Sequence, residues 1–186
     1  MTEPTHLLTV HTLDQRGIIA NLSEVMELQG ARLLELSQTV VRDYFTIIII
    51  VALPPDTNTE TLSAQLHRII GPGAAVNLLP YQTSHPPLPD SDRYILTALG
   101  DDSPGIVHDI SSLIAERGGN FVDLDCRVAA TRIRLVAEIE LPPTVALDQL
   151  QIDLEHAGQT AGLQVRLQHQ RLFQATNQVL FRRISR

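Results

Sequence analysis

Only one cysteine, Cys126, occurs in the 186 residues, so no disulfide can form within the chain and a reducing compartment is the simplest setting. Cationic residues are also short: 14 Lys and Arg stand against 21 Asp and Glu, a formal net charge of −7. A face that neutralises nucleic-acid phosphates needs the opposite surplus, so direct nucleic-acid binding is not the expected activity. The opening MTEPTHLL has no basic region followed by an apolar one, and no segment reads as a membrane span, so the expectation is a soluble, cytoplasmic chain without a membrane partner. None of the seven histidines lies four residues from another, and none clusters with Cys126. Neither a metal nor a cofactor is expected.

What the chain does have is one unit written twice. Gly17 and Gly105, Gly30 and Gly118, and Leu53-Pro54-Pro55 and Leu141-Pro142-Pro143 are each separated by 88 positions. Asp14 and Asp102, Ile18 and Ile106, Ser23 and Ser111, and Leu62/Leu66 and Leu150/Leu154 keep the same offset. Between the copies, TSHPPLPDSD is too rich in proline and small polar residues for a helix and reads as a linker. The expected division is a first domain over 1–83, a linker over 84–92, a second domain over 93–169 and a C-terminal amphipathic tail over 170–186.

Each copy reads strand, helix, strand, strand, helix, strand. In the first, HLLTVHTL is extended and GIIANLSEVMELQG is an amphipathic helix that places Ile18, Leu22, Val25 and Met26 on one face. RLLELSQTVV and FTIIIIVAL form a hairpin, TETLSAQLHRII makes the second helix, and AAVNLLPYQ closes the sheet. The second copy follows with YILTALG, PGIVHDISSLIAERG, FVDLDCRVA, IRLVAEIEL, ALDQLQIDLEHAG and LQVRLQ. The fold class is α+β: two ferredoxin-like βαββαβ domains in tandem, each an antiparallel sheet with its helices on one face.

The strand TIIIIVAL raises a separate question, because it is apolar on both faces. Its counterpart RLVAEIEL alternates, with Arg134, Glu138 and Glu140 outward, whereas here Thr46, Ile48, Ile50 and Ala52 face out. Burying an isoleucine is worth about 1.5–3 kcal/mol, so the outer face around Ile48 and Ile50 is expected to pack on the other domain, the tail or a second subunit. The tail QHQRLFQATNQVLFRRISR, with its two phenylalanines at helical spacing, is one possible cover. Cys126 shares its side of the strand with Val122, Leu124 and Val128 and is expected to pack in the core. Asp123 and Asp125 point to the outer face, where Arg127, Arg132 and Arg134 can pair with them.

The chemistry is expected at the loop GDDSPGIVHDI. Pro104 and Gly105 open a helix whose free N–H groups and positive dipole end suit a carboxylate. Asn120, at the start of the next strand, offers an amide that both donates and accepts. Together they could hold the two charged ends of a small amino acid; equally, Pro104 and Gly105 could only shape the turn and Asn120 only cap it.

DDSPGIVHDISSLIAERGGNFVDL resembles the signature of ACT domains, in which Asp-x-Pro-Gly-Ile-Val opens the first helix and Gly-x-Asn-Ile begins the second strand. The first copy resembles the same family, especially the branch with a Ser-Gln-Thr strand and an Asp-Tyr-Phe-Thr turn. The likeness covers nearly the whole chain, and two such domains in tandem are most similar to the glycine cleavage system transcriptional repressor family. The resemblance implies a non-enzymatic regulator that binds a small amino acid, glycine or serine first, at an interface between ACT domains and signals to a regulator or enzyme partner. A homodimer is the expected assembly. It also implies the ligand-binding set Asp102, Ser103, Gly105, Ile106 and Asn120, with Asp14, Gly17 and Ile18 as a weaker parallel set. Two departures affect that first site: Gln15-Arg16 replaces Ser-Pro, and Arg32, either a carboxylate ligand or a surface residue, stands where Asn120 stands in the second copy.

Similar ACT domains precede the catalytic domains of phosphoserine phosphatases and formyltetrahydrofolate deformylases, so a detached regulatory half of such an enzyme is the alternative, and a ligand-free interaction module is a third. Two units of this size leave no room in 186 residues for a catalytic fold, which argues against an enzyme.

Overall fold

The computed structural model describes residues 3–82 and 92–176. The chain divides into two compact units, Met1–Ser84 and His85–Arg186. In the first, β1 (Thr5–Leu13), α1 (Ile18–Leu28), β2 (Arg32–Val41), β3 (Tyr44–Ala52), α2 (Thr59–Ile70) and β4 (Ala75–Pro80) follow in order. The second repeats them as β5 (Asp92–Asp101), α3 (Ile106–Glu116), β6 (Asn120–Ala129), β7 (Arg132–Leu141), α4 (Leu147–Thr160) and β8 (Leu163–His169), and adds α5 (Gln170–Thr176). Each sheet is antiparallel, in the order β2-β3-β1-β4 and β6-β7-β5-β8. Both units are ferredoxin-like. The expected linker falls largely on residues 83–91, outside the described residues.

Alternation along the strands builds two separate cores. Leu8, Val10, Ile47, Ile49 and Val51 meet Leu22, Leu62 and Leu66 from the helices of the first unit. Leu96, Ala98, Leu135, Ala137 and Ile139 meet Ile110, Ile114, Leu150 and Leu154 in the second. The two hairpins turn on Arg42–Asp43 and Ala130–Thr131. The first loop residue has positive φ in both, 56° at Arg42 and 54° at Ala130, in keeping with the turns whose twist suits a two-residue hairpin. A cross-link between the helices also recurs at the 88-residue offset. Gln29 Nε2 donates to Gln65 Oε1 at 3.2 Å between α1 and α2, and the Arg117 guanidinium pairs with the Asp153 carboxylate between α3 and α4.

The helices do not cover the sheets evenly. Close backbone approaches run from α2 to β4 and from α4 to β8, the edge opposite β2 and β6. As a result, all ten residues of β2 are exposed, and β6 is exposed except at Phe121 and Asp125, which are half-buried. Cys126 is therefore exposed and not packed in the core as the alternation suggested: it is in register with buried Leu135, but α4 lies against β8 at the opposite edge of the sheet. Leu124 and Val128 beside it remain 44% and 47% exposed.

On the open face of the first sheet, Ile48 is 47% exposed and Ile50 half-buried, in a row where Leu7 pairs with both Ile50 and Leu79. The described part of the tail, α5, packs against β5 and β8 of its own unit; the rest of the expected tail helix lies outside the described residues.

Candidate ligand-binding site

Two turns of matching construction carry the predicted site residues. Gly17 and Gly105 stand at the caps of α1 and α3 with φ of 90° and 92°, the left-handed region in which a β-carbon is strained. Nothing lies within 4 Å of where that carbon would be, so glycine is required for its backbone angle and not for close approach. Neither helix has a side-chain cap at its start. Ile18 and Ile106 are buried in their cores, so only their backbone faces the loop, and the Ile106 N–H already donates to the Ser103 carbonyl at 3.3 Å. Asp14 and Asp102 are exposed, and Ser103 is half-buried.

Each loop is tied to the neighbouring hairpin by one repeated bond. The Asp14 N–H donates to the Asp43 carbonyl and the Asp102 N–H to the Thr131 carbonyl, both at 2.8 Å. The second loop therefore sits at the end of the sheet where Asp101, Arg132 and Ala129 are in register. Asn120, exposed and paired in register with Glu140, is at the other end. Nine steps of strand, at about 3.3 Å each, separate the two ends by about 30 Å. The structure thus brings Asp102, Ser103, Gly105 and Ile106 together and sets Asn120 apart from them within the unit. Arg32 occupies the same remote place in the first unit, where its guanidinium lies 3.5 Å from the Glu3 carboxylate.

On the outer face of the second sheet the expected pairing forms at Asp125, whereas Arg132 turns to Asp101. Asp125 accepts from Arg127 at 3.1 Å and from Arg134 at 2.9 Å, and Asp101 accepts from Arg132 at 3.0 Å. Such exposed pairs are worth little singly. Partial burial, and then the carboxylates of Asp125 and Asp102, push the Cys126 thiol above its ordinary range. An accessible thiol held protonated should react slowly with iodoacetamide at pH 7 and accelerate above the ordinary thiol range, because only the thiolate attacks. Stopped alkylation with mass read-out checks this; a rate already at its plateau at pH 7 would contradict it.

Sequence reasoning missed an open groove of about 550 Å³ between α3 and α4, whose lining includes His108, Asp109, Glu116 and His156. Of the predicted residues only Ser103 borders it. Its histidines have no equivalents in the first unit, where Ala20 and Arg68 stand, so the repeat gave no signal. Among the described residues there is no cluster of three or more metal-ligating side chains, and no helix is long and apolar enough to cross a membrane.

Known proteins supply the comparison. A UPF0237 protein of Methanopyrus kandleri is 33% identical over 88 residues, 47% of this chain and 98% of the relative. A crystal structure of a protein of unknown role from Galdieria sulphuraria superposes with a TM-score of 0.74 at 20% identity, covering 89% of this chain and 98% of that one. Another, of a candidate glycine cleavage system transcriptional repressor, superposes with a TM-score of 0.60 at 15% identity over 88% and 95%. At these identities the superpositions speak for the fold alone. The ACT domain model, which describes regulatory modules that sense small amino acids, matches residues 5–69 and again 92–168. The chain belongs to the ACT domain family and carries the domain twice.

Proposed function

We propose that this protein is a non-enzymatic cytoplasmic regulator that senses a small amino acid, glycine or serine first, and passes the signal on by protein contact in the control of amino-acid metabolism, including its transcription. One observation carries the reading: the loop Asp102–Ile106 and Asn120 lie at opposite ends of a free edge strand. A second edge strand running antiparallel alongside brings the missing end of the site to each loop. The loop then receives the ligand carboxylate at the start of α3, Asp102 faces the ammonium group, and an Asn120 amide from the neighbour closes the other side. The Gln15-Arg16 loop of the first unit, with an ion-paired Arg32 in place of asparagine, is the weaker site. The open face carrying Ile48 and Ile50 is the surface that meets another protein surface.

Calorimetric titration of glycine, serine and a panel of other amino acids into the full chain tests this. Saturable binding is expected, weakened at least about tenfold in Asn120→Ala, since a hydrogen bond to a charged group contributes about 1.5–3 kcal/mol. No heat and no thermal shift with any amino acid would sink the reading in favour of a ligand-free interaction module.

A further inference from the structure

We infer that the open face of the first sheet, around Leu7 and Ile48, is covered by the chain's own C-terminal segment, residues 177–186, through Leu180 and Phe181. The inference rests on the reading above only in that this face meets another protein, and it names the occupant that such a partner has to displace.

The second unit shows how a face of this kind is covered. Of its described buried apolar residues, only Ile95 and Phe173 lie outside the core cluster. Ile95 alternates with the core residues Tyr94 and Leu96, so it points to the outer face, and it is nevertheless only 3% exposed. α5 packs against β5 and β8 and carries the buried Phe173, so this short helix and its phenylalanine close the outer face at Ile95. The ground beneath it is not especially apolar: Glu138 on β7 and Gln168 on β8 stand in register beside Ile95.

The first unit presents a more apolar surface and holds no described counterpart of α5. Leu7 takes the place of Ile95, 88 positions earlier, and its register neighbours are Ile50 and Leu79 where the second unit has Glu138 and Gln168. Leu79 is left 56% exposed. The chain carries the covering pair of residues a second time. Leu-Phe occurs as Leu172-Phe173, in α5, and again as Leu180-Phe181, outside the described residues. Charge agrees with this placement. Glu35 is in register with Ile50 and forms no ion pair among the described residues, while Arg182 and Arg183 directly follow Phe181 and no acidic side chain occurs after Glu155. The groove between α3 and α4 competes for those arginines with Asp109 and Glu116, but its apolar lining is Leu113, Ala157 and Ala161, which offers Phe181 less than the sheet does.

Photochemical cross-linking of the full chain tests the docking, with benzoylphenylalanine at position 181 and, as the calibrating control, at position 173. On irradiation the excited carbonyl takes a hydrogen from a neighbouring C–H, and the two carbon radicals join. Position 173 should link to β5 or β8, and position 181 to β1, β3 or β4 at the row of Leu7 and Ile48. Ile48→Lys, a change at an exposed position, should weaken the second link at least about tenfold and leave the first unchanged, because an isoleucine contact is lost and a cation stands beside two arginines. Arg182→Glu with Arg183→Glu should weaken it too, by setting like charge against Glu35. Phe181→Asp should bare the face and raise the fluorescence of the apolar dye ANS, and Ile48→Lys added to it should remove that rise. A linked product of one chain mass or of two supports the docking alike, and the mass says which copy supplies the segment. Links from position 181 to the α3–α4 groove, links scattered over both units, or a link indifferent to Ile48→Lys would overturn it. A link at the sheet in a chain that binds no amino acid would sink the sensing reading alone, and scattered links in a chain that binds glycine would sink the docking alone.

Discussion

Gly100→Ala should cost the second unit about 3 kcal/mol or more, a large share of what holds a domain of this size together. Gly100 lies on the inner face of β5, opposite Ile133 on one side and Leu163 on the other. A β-carbon there would come within 2.4 Å of the Gly162 carbonyl oxygen and 2.6 Å of the Leu163 Cα. Both are backbone atoms at the start of β8, so no side chain can rotate away; the strand itself has to move. The equivalent position in the first unit is Thr12, which is buried but carries a full side chain. The demand for glycine thus comes from the close approach at Gly162 and not from the fold as such. Chemical denaturation of the full chain, with hydrogen exchange on β5 and β8, measures the loss. A variant as stable as the parent would show that the strands are not so close.

Leu8→Ala should remove about 3 kcal/mol from the first unit, within the 2–5 kcal/mol that truncating a fully buried leucine costs. Leu8 is wholly buried at the centre of β1, flanked in register by Ile49 of β3 and Leu78 of β4. Ile49 is β-branched and stiff, and both neighbours are held on a hydrogen-bonded sheet, which limits collapse into the vacated space. A unit of about 80 residues has little margin, so this change alone should leave the β1–β4 amides exchanging freely near room temperature. A loss under about 1 kcal/mol would mean that the core repacks far more readily than its geometry suggests.

The repeat made most of the architecture legible, because spacing is insensitive to what each residue does. Gly17 and Gly105 mark the same left-handed turn, and Leu53 and Leu141 are the same buried position. Alternation failed at Cys126 for a physical reason: period two says which face a residue is on, but not whether a helix lies above it, and here α4 lies against β8, the opposite edge strand of the same sheet. The site was half legible. The Asp102–Ile106 loop is local in sequence and was read from it, whereas the distance to Asn120 depends on strand direction and could be seen only once Ala129 and Asn120 were placed at opposite ends of β6.

The helix cross-link also says something about descent. If the two units arose by duplication, Gln29–Gln65 and Arg117–Asp153 are two outcomes of one ancestral contact, and both partners had to change. Neither order of change leaves an orphaned group: a glutamine amide donates to an aspartate as well as to another glutamine, and an arginine donates to a glutamine carbonyl. With the Arg117–Asp153 pair itself partly open to water, either intermediate would be close to neutral for stability. The contact could drift from amide to ion pair one residue at a time, with neither side chain left without a partner at the intermediate.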